Sequence, residues 1–122
     1  MAAKQNGKKQ QMTGDWLYFC PAEIGVRELH DVLSTEYETE IWEDAGVLEI
    51  SIPEAGSVDV EELIELDEFL EAYMAERELK TVFAVTLKPD EYEKAKLVME
   101  KIKDTIGGYF CGDTDDFQPE FK

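Results

Sequence analysis

Two short segments constrain the fold more than any other feature: Trp16 to Cys20 (WLYFC) and Thr81 to Leu87 (TVFAVTL). Both are almost uniformly aromatic, β-branched or aliphatic, and neither alternates. A strand of that kind must be covered on both faces, so each predicts a central strand of a sheet with helices packed against it. Pro21, which has no backbone donor, stops the first one. A chain of 122 residues has room for one such core and not for two.

The intervening segments supply the rest of an α+β pattern. Val26, Leu29 and Leu33 recur at helical spacing between about residues 23 and 35, with Gly25 weakening the first turn. Tyr37 to Trp42 and Val47 to Ile52 alternate around Glu43-Asp44-Ala45-Gly46, the signature of a hairpin, and Pro53 closes its second arm. A second helix is expected to begin near Val60. Asp59 and Glu62 have capping-box spacing, Val58 and Leu63 staple spacing, and Leu63, Leu66, Leu70, Tyr73 and Met74 form an apolar stripe, with Phe69 towards the core. Pro89 opens a third helix whose stripe of Tyr92, Ala95, Met99, Ile102 and Ile106 ends at Gly107-Gly108, before a short strand at Tyr109 to Cys111.

This order, β-α-β-β-α-β followed by a helix and a short strand, predicts a ferredoxin-like split βαβ fold with a C-terminal addition. Strands 16–20 and 81–87 are expected side by side at its centre. The domain is expected over residues 15–122, preceded by a disordered basic tail over residues 1–14.

Charge is distributed unevenly. The formal net charge is -17, yet residues 1–14 hold three lysines and no acid, and residues 15–79 hold twenty acids against only Arg27 and Arg77. Such acidity opposes direct binding to nucleic acid or to an anionic membrane. The chain has neither an apolar run long enough to span a membrane nor a secretory leader pattern at its start, which predicts a cytoplasmic location. Cys20 and Cys111 lie in apolar, aromatic-rich segments and are expected to be reduced core thiols.

Catalytic and metal readings find little purchase. His30 sits on a predicted helix without an evident partner, and no glycine-flanked nucleophile elbow places it beside Ser34, Ser51, Ser57, Cys20 or Cys111. Two cysteines and one histidine do not make a structural zinc site. Asp113, Asp115 and Asp116 resemble part of a calcium loop but lack its closing bidentate glutamate, so a solvated acidic turn is the simpler reading, with cation binding as a third hypothesis. Gly107-Gly108 ends a helix where phosphate-binding glycines would begin one. Trp16, Tyr18 and Phe19 have no basic neighbours of the kind an RNA-binding sheet requires, and read as core. No catalytic residue, metal or cofactor is expected.

The acidic block carries the functional expectation. On the predicted second helix Glu61, Glu65 and Glu68 would stand about 5–6 Å apart, with Glu71 continuing the face, a spacing comparable in scale to successive phosphates. Like charges so placed destabilise a helix, and no lysine or arginine occurs from residue 28 to 76 to relieve them. Glu36, Glu38, Glu40, Glu43 and Asp44 from the hairpin would extend the surface. The leading reading is a non-enzymatic inhibitor or binding protein that docks on a basic partner, such as a nuclease or nucleic-acid-binding complex. By analogy of charge alone this resembles anti-restriction, anti-CRISPR or toxin-immunity proteins. The alternative is a structural or regulatory interaction module whose acidity serves only solubility.

Overall fold

The computed structural model describes residues 14–54, 56–113 and 120–121, with the side chains of 89, 120 and 121 left out. The Asp115 and Asp116 positions and residues 1–13 of the expected tail lie outside the described residues.

The chain forms an α+β domain in which helices flank one antiparallel sheet. Its elements are β1 (Asp15–Cys20), α1 (Val26–Leu33), β2 (Glu38–Trp42), β3 (Val47–Ile52), β4 (Gly56–Glu62), α2 (Glu68–Glu76), β5 (Thr81–Thr86), α3 (Tyr92–Ile106), β6 (Tyr109–Gly112) and the two-residue β7 (Glu120–Phe121). The strand order is β2-β3-β4-β5-β1-β6-β7, so six strands form the body of the sheet and β7 adds a short margin. As the apolar runs require, β1 and β5 lie side by side near the middle, with Trp16 opposite Val85 and Tyr18 opposite Phe83.

Two cores sit on the two faces. On one, α1 and α3 cover Trp16, Tyr18, Leu48, Ile50, Val58, Val60, Phe83, Val85 and Phe110 with Val26, Leu29, Leu33, Ala95, Met99 and Ile102. On the other, α2 covers a smaller patch in which Leu17, Phe19, Val82 and Cys111 meet Leu70, Tyr73 and Met74. The unequal sizes matter, because α2 packs on β5, β1 and β6 and leaves one face of β2, β3 and β4 without a helix.

The second helix begins later than its spacing predicts. Residues 56–62 are not helical but form β4, and the N-cap is Asp67, whose carboxylate accepts the Leu70 N–H at 2.8 Å. The physical reason is strict period-two alternation. Val58 and Val60 point to the larger core while Ser57, Asp59 and Glu61 point away, and a strand here pairs with β3 on one side and β5 on the other. Capping by Asp59 would forfeit both ladders for one hydrogen bond. The expected staple is absent too, since Val58 and Leu63 belong to opposite cores. Phe69, expected inside, is 64% exposed on α2.

Inserting β4 also alters the topology. A ferredoxin-like order would place β1 between β5 and the second hairpin strand; instead β4 stands between β3 and β5, and the other neighbour of β1 is β6. The split βαβ expectation for the whole domain is therefore not met. One such unit does exist at the other end, where β5 and β6 run in the same direction on either side of β1 and α3 connects them.

Two local devices position α1. Its N-cap is Gly25, which has no side chain to accept from the first turn. Glu28 reaches back to the Gly25 N–H at 2.8 Å, and Glu62, arriving from the end of β4, accepts the Val26 N–H at 2.8 Å. A carboxylate from another element thus takes the place of a local cap at the positive end of the helix. The Glu62 backbone N–H also donates to the Gly46 carbonyl at 2.8 Å, tying the hairpin turn to the same point.

Candidate functional site: an acidic open sheet face

The exposed face of β2, β3 and β4 is built by alternation. Every second residue of these strands enters the larger core, so the others must share the opposite surface. They are Glu38, Glu40 and Trp42 from β2, Val47, Glu49 and Ser51 from β3, and Ser57, Asp59 and Glu61 from β4. Registration then sets the carboxylates beside one another. Glu40 is opposite Glu49, Glu49 is opposite Asp59, Asp59 is opposite Thr86, and Thr86 is opposite Asp15. Neighbouring strands are about 4.8 Å apart, so a transverse row of four carboxylates and one threonine crosses five strands in roughly 19 Å. Glu38 and Glu61 flank the row.

Both arginines of the acidic block lie on other elements: Arg27 Nε approaches Glu43 Oε2 at 3.6 Å, and Arg77 stacks on the Tyr73 ring at 3.8 Å while meeting Glu76. Among the described residues no lysine or arginine pairs with Glu38, Glu40, Glu49, Asp59 or Glu61. Each step of the row, about 4.8 Å, is shorter than the roughly 8 Å Debye length at physiological salt, so adjacent carboxylates feel one another's charge. Burial raises the Asp59 carboxyl above its ordinary value, and the neighbouring Glu49 raises it further, partly offset by the Ser57 hydroxyl, which donates to Asp59 Oδ1 at 3.4 Å.

The nine residues expected to contact a partner do not share one surface. Glu38, Glu40 and Glu61 come together on the open face. Glu36 lies in the turn after α1 and pairs with Lys101 of α3 at 3.0 Å, and Glu43 and Asp44 occupy the 3-10 turn of the hairpin, where Glu43 meets Arg27. Glu61, Glu65 and Glu68 are not on one helical face: Glu61 is in β4, Glu65 is in the connection and Glu68 opens α2. Glu68 and Glu71 stand in the first turn of α2, where acids favour the helix dipole without any partner. Glu49 and Asp59, absent from the expected set, occupy the middle of the row. Their signal is the alternation of VLEISI and SVDVE, which turns Glu49, Asp59 and Glu61 outward while Leu48, Ile50, Val58 and Val60 turn in.

Other candidates are placed as follows. His30 Nδ1 lies 3.3 Å from Asp31 Oδ1, its sequence neighbour. Cys20 and Cys111 are unbridged and buried in different cores. Beside the edge strand β2 an open recess of about 520 Å³ is lined by Ser34, Tyr37, Glu38, Thr39, Glu40 and Ser51. Its lining is mostly polar, unlike the predominantly apolar wall of a typical small-molecule pocket. Trp42, 48% exposed at the end of β2, adds an aromatic surface to the acidic face.

The row has a measurable cost. Directly opposed like charges on a sheet are unfavourable, and each pair contributes on the order of 0.2–1 kcal/mol. Glu49→Lys turns two repulsive pairs into two attractive ones and is expected to stabilise the fold by about 0.5–2 kcal/mol. Urea denaturation at low and high salt checks this, since a gain that persists at 1 M salt, where the Debye length is about 3 Å, would not be electrostatic.

The raised Asp59 carboxyl gives a sign for pH. The folded state holds this proton more tightly than the unfolded chain, so this group's contribution to stability falls as pH rises from the ordinary carboxylate range through its raised value. Asp59→Asn is expected to raise the denaturation midpoint at neutral pH and to lose that advantage when both states are protonated. A pH series of urea midpoints measures it; a constant difference at all pH values would contradict the assignment.

No protein-family model, curated protein or solved structure matches the chain.

Proposed function

We propose that the protein is a non-enzymatic, acidic binding protein that uses the open face of β2, β3 and β4 to occupy a basic surface on a nucleic-acid-binding partner. The observation that carries this reading is the transverse row of Glu40, Glu49 and Asp59, flanked by Glu38 and Glu61, with no cation from residue 28 to 76. An acid surplus that serves solubility needs only dispersion over the surface, and dispersion avoids like-charge neighbours. Here the charges are concentrated in register at a cost to stability, on the part of the sheet that α2 leaves open.

The sheet suits such a partner for geometric reasons. Residues two apart on a strand are separated by roughly 6.5–7 Å and adjacent strands by about 4.8 Å, so the face presents its carboxylates from a fixed lattice of backbone positions, without the backbone ordering that a loop would require. A basic groove that evolved for a phosphate chain meets a comparable density of negative charge, and Trp42 offers a ring on which an arginine can stack. Association driven in this way is fast at low salt and slows steeply as ionic strength rises. Two reduced, buried thiols accord with action in a reducing cytoplasm.

Capture from the lysate of its source, at low and high salt and with competing DNA or RNA, tests the reading when the triple variant E40K/E49K/D59K is run in parallel. The expected outcome is a basic nucleic-acid-binding protein displaced by salt and by nucleic acid, and bound at least about tenfold more weakly by the variant, the equivalent of about 1.4 kcal/mol. Capture that ignores both salt and the triple variant would leave the acidity as a solubility feature.

A further inference from the structure

We propose that the lysine-bearing N-terminal segment of the same chain is a second occupant of the acidic face and competes there with the basic partner. This rests on the reading of β2, β3 and β4 as a docking surface for cations and adds its regulation. Residues 1–13, MAAKQNGKKQQMT, contain Lys4, Lys8 and Lys9 and no acid, whereas the face contains acids and no lysine or arginine.

The point of attachment is what makes the pairing specific. The described chain begins at Gly14, whose carbonyl accepts the Leu87 N–H at 2.8 Å, and continues into Asp15 at the start of β1. Asp15 is itself in the transverse row, opposite Thr86, which is opposite Asp59. The segment therefore leaves the fold at one end of the row it would cover. At about 4.8 Å per strand, Asp59, Glu49 and Glu40 lie roughly 10, 14 and 19 Å from Asp15. A flexible chain has a root-mean-square span of about 5–6 Å multiplied by the square root of its length. For the six residues from Asp15 to Lys9 that is roughly 13 Å, and for the eleven to Lys4 roughly 18 Å. The lysines are thus spaced to reach successive carboxylates without stretching the chain, and tethering presents them at a high effective concentration.

The full-length chain and its K4Q/K8Q/K9Q variant provide the test. Amide NMR spectra of the two are expected to differ along Glu40, Glu49, Asp59 and Glu61 at low salt and to converge at high salt; differences confined to the segment and its junction at residues 14 and 15 would overturn the proposal. Titration with a lysine-rich peptide is the second arm. The K4Q/K8Q/K9Q variant is expected to bind it about three- to tenfold more tightly than the native chain, as follows if the segment leaves the face free in a tenth to a third of molecules. In an E40Q/E49Q/D59N background that difference is expected to vanish, which separates competition on the face from the general effect of removing three positive charges. Equal affinities in the native background refute the segment's role. Absence of peptide binding by every variant refutes the docking surface itself, and the NMR comparison still reports the segment.

Discussion

Gly108→Ala is expected to destabilise the protein by about 3–5 kcal/mol, while the same change at the adjacent Gly107 costs about 1–3 kcal/mol. Both glycines have positive φ, +104° at Gly107 and +82° at Gly108, so both substitutions force an L-residue into a conformation it disfavours. Only one of them also collides. A Cβ on Gly108 would lie 2.1 Å from the Phe19 carbonyl oxygen and 3.1 Å from Tyr18 Cε1, whereas nothing lies within 4 Å of one on Gly107. Phe19 is in β1, held between β5 and β6 by its ladders, so its carbonyl cannot withdraw as a flexible side chain would. The Tyr18 hydroxyl adds to the constraint by donating to the Gly107 carbonyl at 2.6 Å, and burial pushes its phenol well above the ordinary range. Urea midpoints of the two variants decide the matter, since equal losses would mean that the close approach to Phe19 is unimportant.

Phe83→Ala is the second large effect, expected at about 3–5 kcal/mol. Phe83 is fully buried in β5, and its ring stacks with Tyr18 at 5.8 Å, while Tyr18 stacks in turn on Phe110 at 4.6 Å. Truncation leaves a void between three strands, each pinned by ladders, with little freedom to collapse into it. Phe69→Ala supplies the contrast. That ring is 64% exposed on α2, and its removal is expected to change stability by no more than about 0.5 kcal/mol. Denaturation of both variants measures the difference; comparable losses would place Phe69 in a core where the structure does not.

These two phenylalanines also show where local pattern suffices. Phe83 lies in a run so uniformly apolar that only burial on both sides can accommodate it, and β1 and β5 were legible for that reason. The hairpin of β2 and β3 was legible from alternation around Gly46, which takes φ +68° at the turn, and α3 from its stripe and its terminal glycines. Phe69 is misplaced by local spacing because that spacing starts α2 eight residues too early. In the segment from Val58 to Met74 two signals compete, a capping box at Asp59 and alternation over residues 56–62. Local spacing weighs them equally, and the choice is made by ladders to β3 and β5, which are remote in sequence.

The site follows the same division. That the acids of residues 36–71 are functionally suggestive was readable from charge alone, but their grouping was not. Glu36 and Glu43 face cations from α3 and α1, which only the tertiary fold brings near. Glu49 and Asp59 join Glu40 because three strands align at the same level, and alignment between strands depends on turns and core packing rather than on spacing within any one segment.

The alternation that builds the acidic face also disciplines how the sheet can assemble. Sliding β3 or β4 by one residue would drive Glu49, Asp59 and Glu61 into the space now filled by Leu48, Ile50, Val58 and Val60, so the carboxylates penalise every odd misregister during folding. At the margin, two copies joining through β2 in antiparallel fashion around Glu40 would bring that residue against its own duplicate. Like charge along that margin opposes edge-to-edge pairing between copies, the route by which an open strand seeds aggregation.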